Sequence, residues 1–156
     1  MTKLLFILLL LFGFIFTQEP INKQSELNRH NLSIGMLDDK TGFSMIGYTY
    51  NIKQNETNEY FVGAGTAFLA FTGTVGWKHY YRKSKSSISS VLCGQYVAHM
   101  GFMGFLPTAS LTLEHNLTKS AQVKLGAWGF TLLGGTSSES GGHSGVLPFI
   151  GLNLRF

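Results

Sequence analysis

Histidine is the residue of this sequence with the widest possible chemistry, because its imidazole can bind a metal ion or move a proton near neutral pH. The histidines are His30, His79, His99, His115 and His143. Their spacings do not match a histidine metal motif such as H-x-H or H-E-x-x-H. The sequence therefore predicts no metal site and no cofactor.

A serine nucleophile beside a histidine is the alternative chemistry, and it needs both side chains on one face together with a supporting acid. His99 and His143 fall in predicted loops, where Ser144 or Glu139 could join them. His143 and Ser144 are consecutive, however, so an extended backbone places their side chains on opposite faces. We therefore predict no catalytic residue, and an enzymatic role stays a secondary hypothesis.

A small set of charged residues lies on the polar side of segments with alternating polarity. Its members are Lys78, Glu114, Lys124 and Arg155. If these segments close into a barrel of eight strands, the interior is just wide enough for side chains to fill it. We then expect a salt-bridge network that plugs the lumen, in preference to an ion path. Glu114 is the expected hub, because it is the only acid of this set and unpaired buried cations are costly.

The elements that must position these side chains are predicted to be β-strands, because apolar residues recur at every second position from His30 onward. In the final segment, positions 146, 148, 150, 152, 154 and 156 are apolar and share one face. The predicted strands cover residues 30–37, 43–52, 58–68, 72–82, 87–98, 107–116, 120–131 and 145–156. The predicted fold class is therefore all-β, an eight-stranded antiparallel up-and-down transmembrane β-barrel.

The composition argues against several other classes of protein. Only 13% of the 156 residues are charged, against a usual share of about 25%, whereas 13% are aromatic and 19 are glycine. The single cysteine, Cys93, excludes an intrachain disulfide. The net charge of +4 comes mainly from scattered lysines and arginines, which together with the predicted export argues against a nucleic-acid partner.

The N-terminal segment predicts export. Lys3 precedes an apolar run at residues 4–16, which has the length of a signal-peptide core and is shorter than the about 20 residues that a membrane-spanning helix needs. We predict a signal peptide at residues 1–18, a flexible leader at 19–29 and one barrel domain at 30–156. An uncleaved signal anchor is the alternative, because no small-x-small pattern marks a cleavage site.

Two barrel architectures share this strand pattern. In a soluble secreted ligand-binding barrel the apolar faces point inward, whereas in a membrane barrel they face lipid and the polar faces fill the lumen. The polar faces here carry many glycines and few charges, and a surface in water normally carries more charge. This favours the membrane barrel, with the soluble barrel as an alternative.

The links between strands predict an orientation. Residues 53–58, 82–87 and 116–120 form short polar links, which are typical of periplasmic turns. Residues 67–73, 99–106 and 133–144 are predicted to be longer or glycine-rich outer links. The first outer link, residues 38–42, is short and departs from this trend.

The C-terminal segment carries a resemblance to a known family. Residues 151–156 read GLNLRF, with a terminal aromatic and alternating apolar residues before it. This resembles the closing strand of small eight-stranded bacterial outer-membrane β-barrel proteins. The resemblance implies residence in the bacterial outer membrane, contact with outer-membrane lipid, and an assembly signal read by the outer-membrane insertion machinery. Leu152, Leu154 and Phe156 would be its lipid-facing members.

The function that follows is an integral outer-membrane barrel with a structural or surface-interaction role and a plugged lumen. Some small barrels of this kind modify lipid A, so a lipid-acting enzyme is the alternative that the resemblance implies. The sequence identifies no small ligand.

Overall fold

The computed structural model of the protein describes residues 29–99, 102–133 and 143–156. The predicted signal peptide at 1–18 and residues 19–28 of the predicted leader lie outside the described residues. Within the described ranges, no helix is long and apolar enough to cross a membrane.

Eight antiparallel strands form one closed barrel, and each strand pairs with its neighbours in the sequence. The strands are β1 (His30–Met36), β2 (Ile46–Gln54), β3 (Asn58–Ala67), β4 (Ala70–Arg82), β5 (Ser86–His99), β6 (Phe102–Asn116), β7 (Ala121–Thr131) and β8 (Ser144–Arg155). The pairing of β1 with β8 closes the barrel, for example at Ile34 and Leu152. The prediction of an all-β, eight-stranded antiparallel up-and-down barrel is confirmed.

The two ends of the barrel differ in their connections. One end, called the terminal end, carries Arg29, Phe156 and the short turns at residues 55–57, 83–85 and 117–120. The opposite end, called the far end, carries the β1–β2 link at residues 37–45 and a two-residue turn, Phe68 and Leu69, between β3 and β4. The three short polar links of the sequence prediction therefore lie at one end.

Two of the predicted long outer links are largely strand. The pairing of β5 with β6 continues to His99 and Phe102, and the pairing of β3 with β4 continues to Ala67 and Ala70. Apolar side chains occupy both faces near the far end, so alternation disappears from the sequence there. Val97 and Leu106, for example, belong to a buried apolar cluster inside the barrel, together with Trp128 and Phe149.

Most of the remaining interior is polar, apart from a second buried apolar cluster of Phe61, Val91 and Cys93, and the exterior is largely apolar. Inward positions include buried Asn31, Thr49, Thr112 and Asn153. Outward positions include Val75, Leu111 and Ile150, each of which exposes more than half of its accessible surface. The strands therefore turn their hydrophobic faces outward.

The link at residues 37–45, which we call the inner loop, folds into the barrel. The backbone amides of Asp38 and Gly42 each donate to the carbonyl of the other, at 3.0 and 2.8 Å. Gly42 has φ of 59°, a left-handed conformation that suits glycine, and a Cβ there would overlap the Gln95 side chain. Asp38 to Thr41 are consequently buried, although they belong to a loop.

Glycines on β2 and β3 provide the room for the inner loop. A Cβ at Gly47 would overlap the Thr41 side chain, and one at Gly65 would overlap Ser44. Thr41 and Ser44 also share a hydrogen bond of 2.5 Å between their hydroxyl groups. The glycine-rich faces therefore accommodate a loop as well as long charged side chains.

Candidate functional site: an ion-pair network in the lumen

The inner loop carries charged groups into the lumen. One carboxylate oxygen of Asp38 accepts hydrogen bonds from the amides of Lys40 and Thr41, at 3.1 and 3.0 Å, and from the Thr41 hydroxyl. These bonds hold the loop in a tight turn that directs the neighbouring Asp39 and Lys40 into the barrel. Both of these side chains are buried.

Lys78 on β4 lies between two acids. Its ammonium group donates to an Asp39 oxygen at 2.7 Å and to the carboxylate of Glu114 on β6. The second oxygen of Glu114 accepts from the Gln122 amide at 2.8 Å and lies 3.7 Å from Arg155 Nη2. The side chains of Lys78 and Glu114 have no exposed surface.

Lys124 on β7 pairs with the inner loop. Its ammonium group lies 2.5 Å from Oδ1 of Asp39 and 3.1 Å from Oδ1 of Asp38. Asp39 therefore receives one lysine on each of its two oxygens. Ion pairs thereby connect the inner loop to two strands that are distant from it in the sequence, β4 and β7.

A second cluster surrounds Glu59 on β3. Lys40 Nζ donates to Oε2 of Glu59 at 2.8 Å, and the Tyr80 hydroxyl donates to Oε1 at 3.1 Å. Arg155 donates to the Tyr80 oxygen at 2.9 Å, which links this cluster to Glu114. Lys83, in the turn after β4, lies 3.9 Å from Glu59 and reaches the terminal end with a quarter of its side chain exposed.

Apart from the quarter-exposed Lys83, the charged side chains inside the described part of the barrel balance. The buried acids are Asp38, Asp39, Glu59 and Glu114, and they are matched by Lys40, Lys78, Lys124 and Arg155. A buried charge is tolerated only when it is paired and hydrogen-bonded. Each of these groups has an ion-pair partner, although Arg155 Nε is buried without a hydrogen-bond partner.

The pKa values of the inner-loop groups follow from this arrangement. Burial by itself would raise the pKa of Asp39, but Lys124 and Lys78 outweigh it and hold that pKa well below its usual value. Burial lowers the pKa of Lys40, and the Glu59 carboxylate offsets only part of this effect. Asp39 is thus an ionised anchor for two lysines.

The four charged residues that the sequence assigns to the lumen all lie in this interior, but their partners differ from the expectation. Glu114 contacts Lys78 and lies near Arg155, whereas Lys124 pairs with Asp38 and Asp39 although it is opposite Glu114 in the strand register. Glu114 is the only acid of the predicted set, but the inner loop and β3 contribute three further buried acids to the interior.

The missed acids carried signals in the sequence. Glu59 stands one position before the outward-facing Tyr60, so alternation places it on the inner face. Asp38, Asp39 and Lys40 are consecutive charges in the link between β1 and β2. Strand periodicity alone does not show that such a link turns inward.

The histidines do not form a catalytic constellation in the described part of the chain. His99 and His143 are exposed, and the Ser144 hydroxyl pairs with Thr131 at 3.1 Å. Glu139 lies outside the described residues. His115 Nδ1 lies 2.8 Å from the Ser86 hydroxyl, but no carboxylate in the described ranges is hydrogen-bonded to that imidazole. No group of metal-binding side chains occurs among the described residues.

Leu152 and Leu154 of the predicted assembly signal lie on the outward face of β8, and Phe156 directly follows the strand. Leu152 pairs with Ile34 of β1 and with Val123 of β7, and Leu154 with Leu32 and Ala121. Phe156 exposes 60% of its surface, and its ring stacks on His30 at 5.8 Å between centroids. His30 and Phe156 also exchange two backbone hydrogen bonds of 3.0 Å, at the seam of the barrel.

Comparisons of the chain with protein-family models, with curated proteins and with solved structures found no match. The arguments about function consequently stand on the sequence and on the geometry described above.

Proposed function

We propose that this chain is an integral β-barrel protein of the bacterial outer membrane, with a plugged lumen and a structural or surface-interaction role. The observation that carries the proposal is the inverted distribution of polarity. Basic and acidic side chains such as Lys78 and Glu114 are fully buried, whereas Leu111 and Ile150 are 56% and 59% exposed. Lipid is the environment that makes this distribution favourable.

The charged residues within the strands support the same interpretation. They are Lys53, Glu59, Lys78, Arg82, Glu114, Lys124 and Arg155. Lys53 and Arg82 lie at the terminal ends of β2 and β4, and the other five belong to the lumen network. The middle of the outer surface is therefore free of charge in the described strands, as a hydrocarbon layer requires.

Aromatic side chains at the terminal end fit a membrane interface. Trp77, His79 and Tyr81 follow one another on the outer face of β4, with ring centroids 5.7 and 5.1 Å apart. Trp77 Nε1 and His79 Nδ1 both lie 2.9 Å from the Asn58 side-chain oxygen, near the turn. Rings with an apolar body and a polar edge are typical of the belt at headgroup level.

The filled lumen argues for a structural or surface role over transport. The inner loop and its ion pairs occupy the interior of a barrel whose strand number leaves little space. Partners in this proposal are outer-membrane lipid and the insertion machinery, the latter through Leu152, Leu154 and Phe156.

Membrane fractionation tests the proposal. The full chain, expressed in a Gram-negative host, should stay with the outer membrane after alkaline carbonate washing and should need detergent for release. Its electrophoretic mobility should also change on boiling, because folded barrels resist detergent at room temperature. Recovery in the soluble periplasmic fraction would favour the soluble binding barrel, and a change in lipid A mass on expression would favour the enzyme.

A further inference from the structure

Basic side chains are concentrated at the terminal end of the barrel. The terminal rim, as we define it, consists of Arg29, Lys53, Arg82, Lys85 and Lys119. The antiparallel topology brings these residues together, because Arg29 before β1, the three short turns and the end of β8 share this end. Glu56 is the one exposed acidic side chain there among the described residues.

The far end exposes apolar side chains in place of basic ones. Its described charged residues, Asp38, Asp39 and Lys40, are buried in the lumen. Its exposed side chains include Phe43, Met45, Phe68, Leu69 and Met103. The exposed charge of the described barrel is therefore segregated to one end.

The terminal rim lies next to outward-facing aromatic residues. Arg29 Nη1 donates to the Tyr50 hydroxyl at 3.4 Å, and the His30 ring packs against Tyr50 at 5.2 Å and on Phe156 at 5.8 Å. On β4, Tyr81 immediately precedes Arg82. A belt at the membrane interface places these cations at the depth of the lipid phosphates.

We infer that the terminal rim binds the phosphate groups of anionic phospholipids in preference to zwitterionic ones. The inference rests on the proposed membrane location. Each lysine or arginine close to an anionic surface contributes roughly a fivefold gain in affinity, and salt screens that contribution. Arginine also offers a bidentate donor pair to a phosphate. The position beside an interfacial belt favours lipid over a soluble polyanion as the occupant.

Tryptophan quenching by brominated lipid provides the test. The chain has two tryptophans, and Trp77 faces outward whereas Trp128 is buried in the lumen. Trp128→Phe leaves Trp77 as the only reporter, and it breaks no described hydrogen bond because Trp128 Nε1 has no partner. The wild-type protein serves as a second sample, since its Trp128 contributes a constant background.

The refolded protein is placed in mixed vesicles that contain either brominated phosphatidylglycerol or brominated phosphatidylcholine at the same mole fraction. At low salt, phosphatidylglycerol should quench Trp77 at least about twofold more effectively, and about 0.5 M salt should reduce this preference. Lys53→Gln, Lys85→Gln and Lys119→Gln in one protein should reduce the preference, with Arg29 and Arg82 left in place, while quenching by phosphatidylcholine stays unchanged. Glu56→Gln is the matched control and should keep the preference.

The outcomes separate the two proposals. Equal quenching by both lipids would overturn the anionic preference while the membrane location stands. Absence of quenching by either lipid would overturn both proposals. A preference as large in the triple variant as in the wild type would overturn the assignment to the terminal rim.

Discussion

Lys124 on β7 lies 2.5 Å from Asp39 of the inner loop, although 85 positions separate the two residues in the chain. Lys78 on β4 holds the other oxygen of the same carboxylate at 2.7 Å. One side chain of a short loop thus connects two strands from different parts of the barrel. Removing the charge of Asp39 should therefore take one ionic partner from Lys78 and one from Lys124.

We predict that Asp39→Asn lowers the free energy of unfolding by about 3–5 kcal/mol at neutral pH, the usual cost of removing one partner from a buried ion pair. Denaturant unfolding in detergent measures this change. Glu56→Gln alters an exposed acid and is the control, with an expected change near zero. Equal stability of Asp39→Asn and wild type would contradict the assigned role of Asp39.

The same carboxylate predicts a dependence of stability on pH. The pKa of Asp39 is held below that of an unfolded aspartate, about 3.9, so its contribution is complete above the unfolded pKa and is lost as the pH falls further. Wild-type stability should be level between about pH 7 and pH 5 and should decline below about pH 4. The decline should be shallower in Asp39→Asn, and an identical slope in both proteins would count against the assignment.

A substitution of Glu114 tests whether the lumen is plugged by side chains or forms an ion-conducting pore. Glu114→Gln keeps the shape of the side chain but leaves Lys78 and Arg155 with less compensating charge, so stability should fall by about 3–5 kcal/mol. Planar-bilayer recordings should show negligible current for both proteins, because the inner loop still occupies the lumen. Steady ion-selective current through the wild type would overturn the plugged lumen.

Gly47 and Gly73 form a matched pair for the inner loop. A Cβ at Gly47 would overlap Thr41, whereas one at Gly73 would meet no atom within 4 Å. Gly47→Ala should displace the inner loop and make the bond after Lys40 a trypsin site, detectable by mass spectrometry of the products. Gly73→Ala should leave that bond protected, and protection in both variants would show that the loop does not depend on this space.

Phe156 is predicted to carry part of the assembly signal. Its deletion removes the stacking and the two backbone hydrogen bonds with His30, so export should continue while the outer-membrane yield falls severalfold. Phe156→Tyr keeps the ring and should assemble normally. Quantitative immunoblots of membrane and periplasmic fractions measure both, and a normal membrane yield of the truncated chain would refute the prediction.

Much of this fold can be predicted from period-two alternation. The prediction fails where the two faces of a strand have the same polarity. Alternation identified β7 and β8 nearly to the residue, because Lys124 and Arg155 belong to the polar face and leave the apolar face unbroken. It placed the start of β6 too late, at 107 where the strand begins at Phe102, because apolar Leu106 faces inward while apolar Phe105 faces outward. Strand positions are thus visible in a sequence only where the two faces differ.

Alternation predicts only part of the arrangement of the interior charges. Lys78 and Glu114 could be assigned to the lumen by parity, but the choice of partners depends on the stagger between strands. Lys124 illustrates this, because its cross-strand neighbour is Glu114 and its ionic partners come from the inner loop. A loop that enters a barrel is specified by the space that Gly47 and Gly65 leave, which becomes evident only in three dimensions.

Contact of the outer face with lipid is tested most directly by spin labels on that face. Single cysteines replace Leu111, Ile150 and Lys119 in a Cys93→Ser background, and each labelled protein is reconstituted in phospholipid vesicles. Collision with oxygen should dominate at Leu111 and Ile150, and collision with a water-soluble nickel complex should dominate at Lys119, because oxygen partitions into hydrocarbon and the nickel complex does not. If the nickel complex reaches Leu111 and Ile150 as readily as Lys119, the outer face lies in water and the membrane account is wrong.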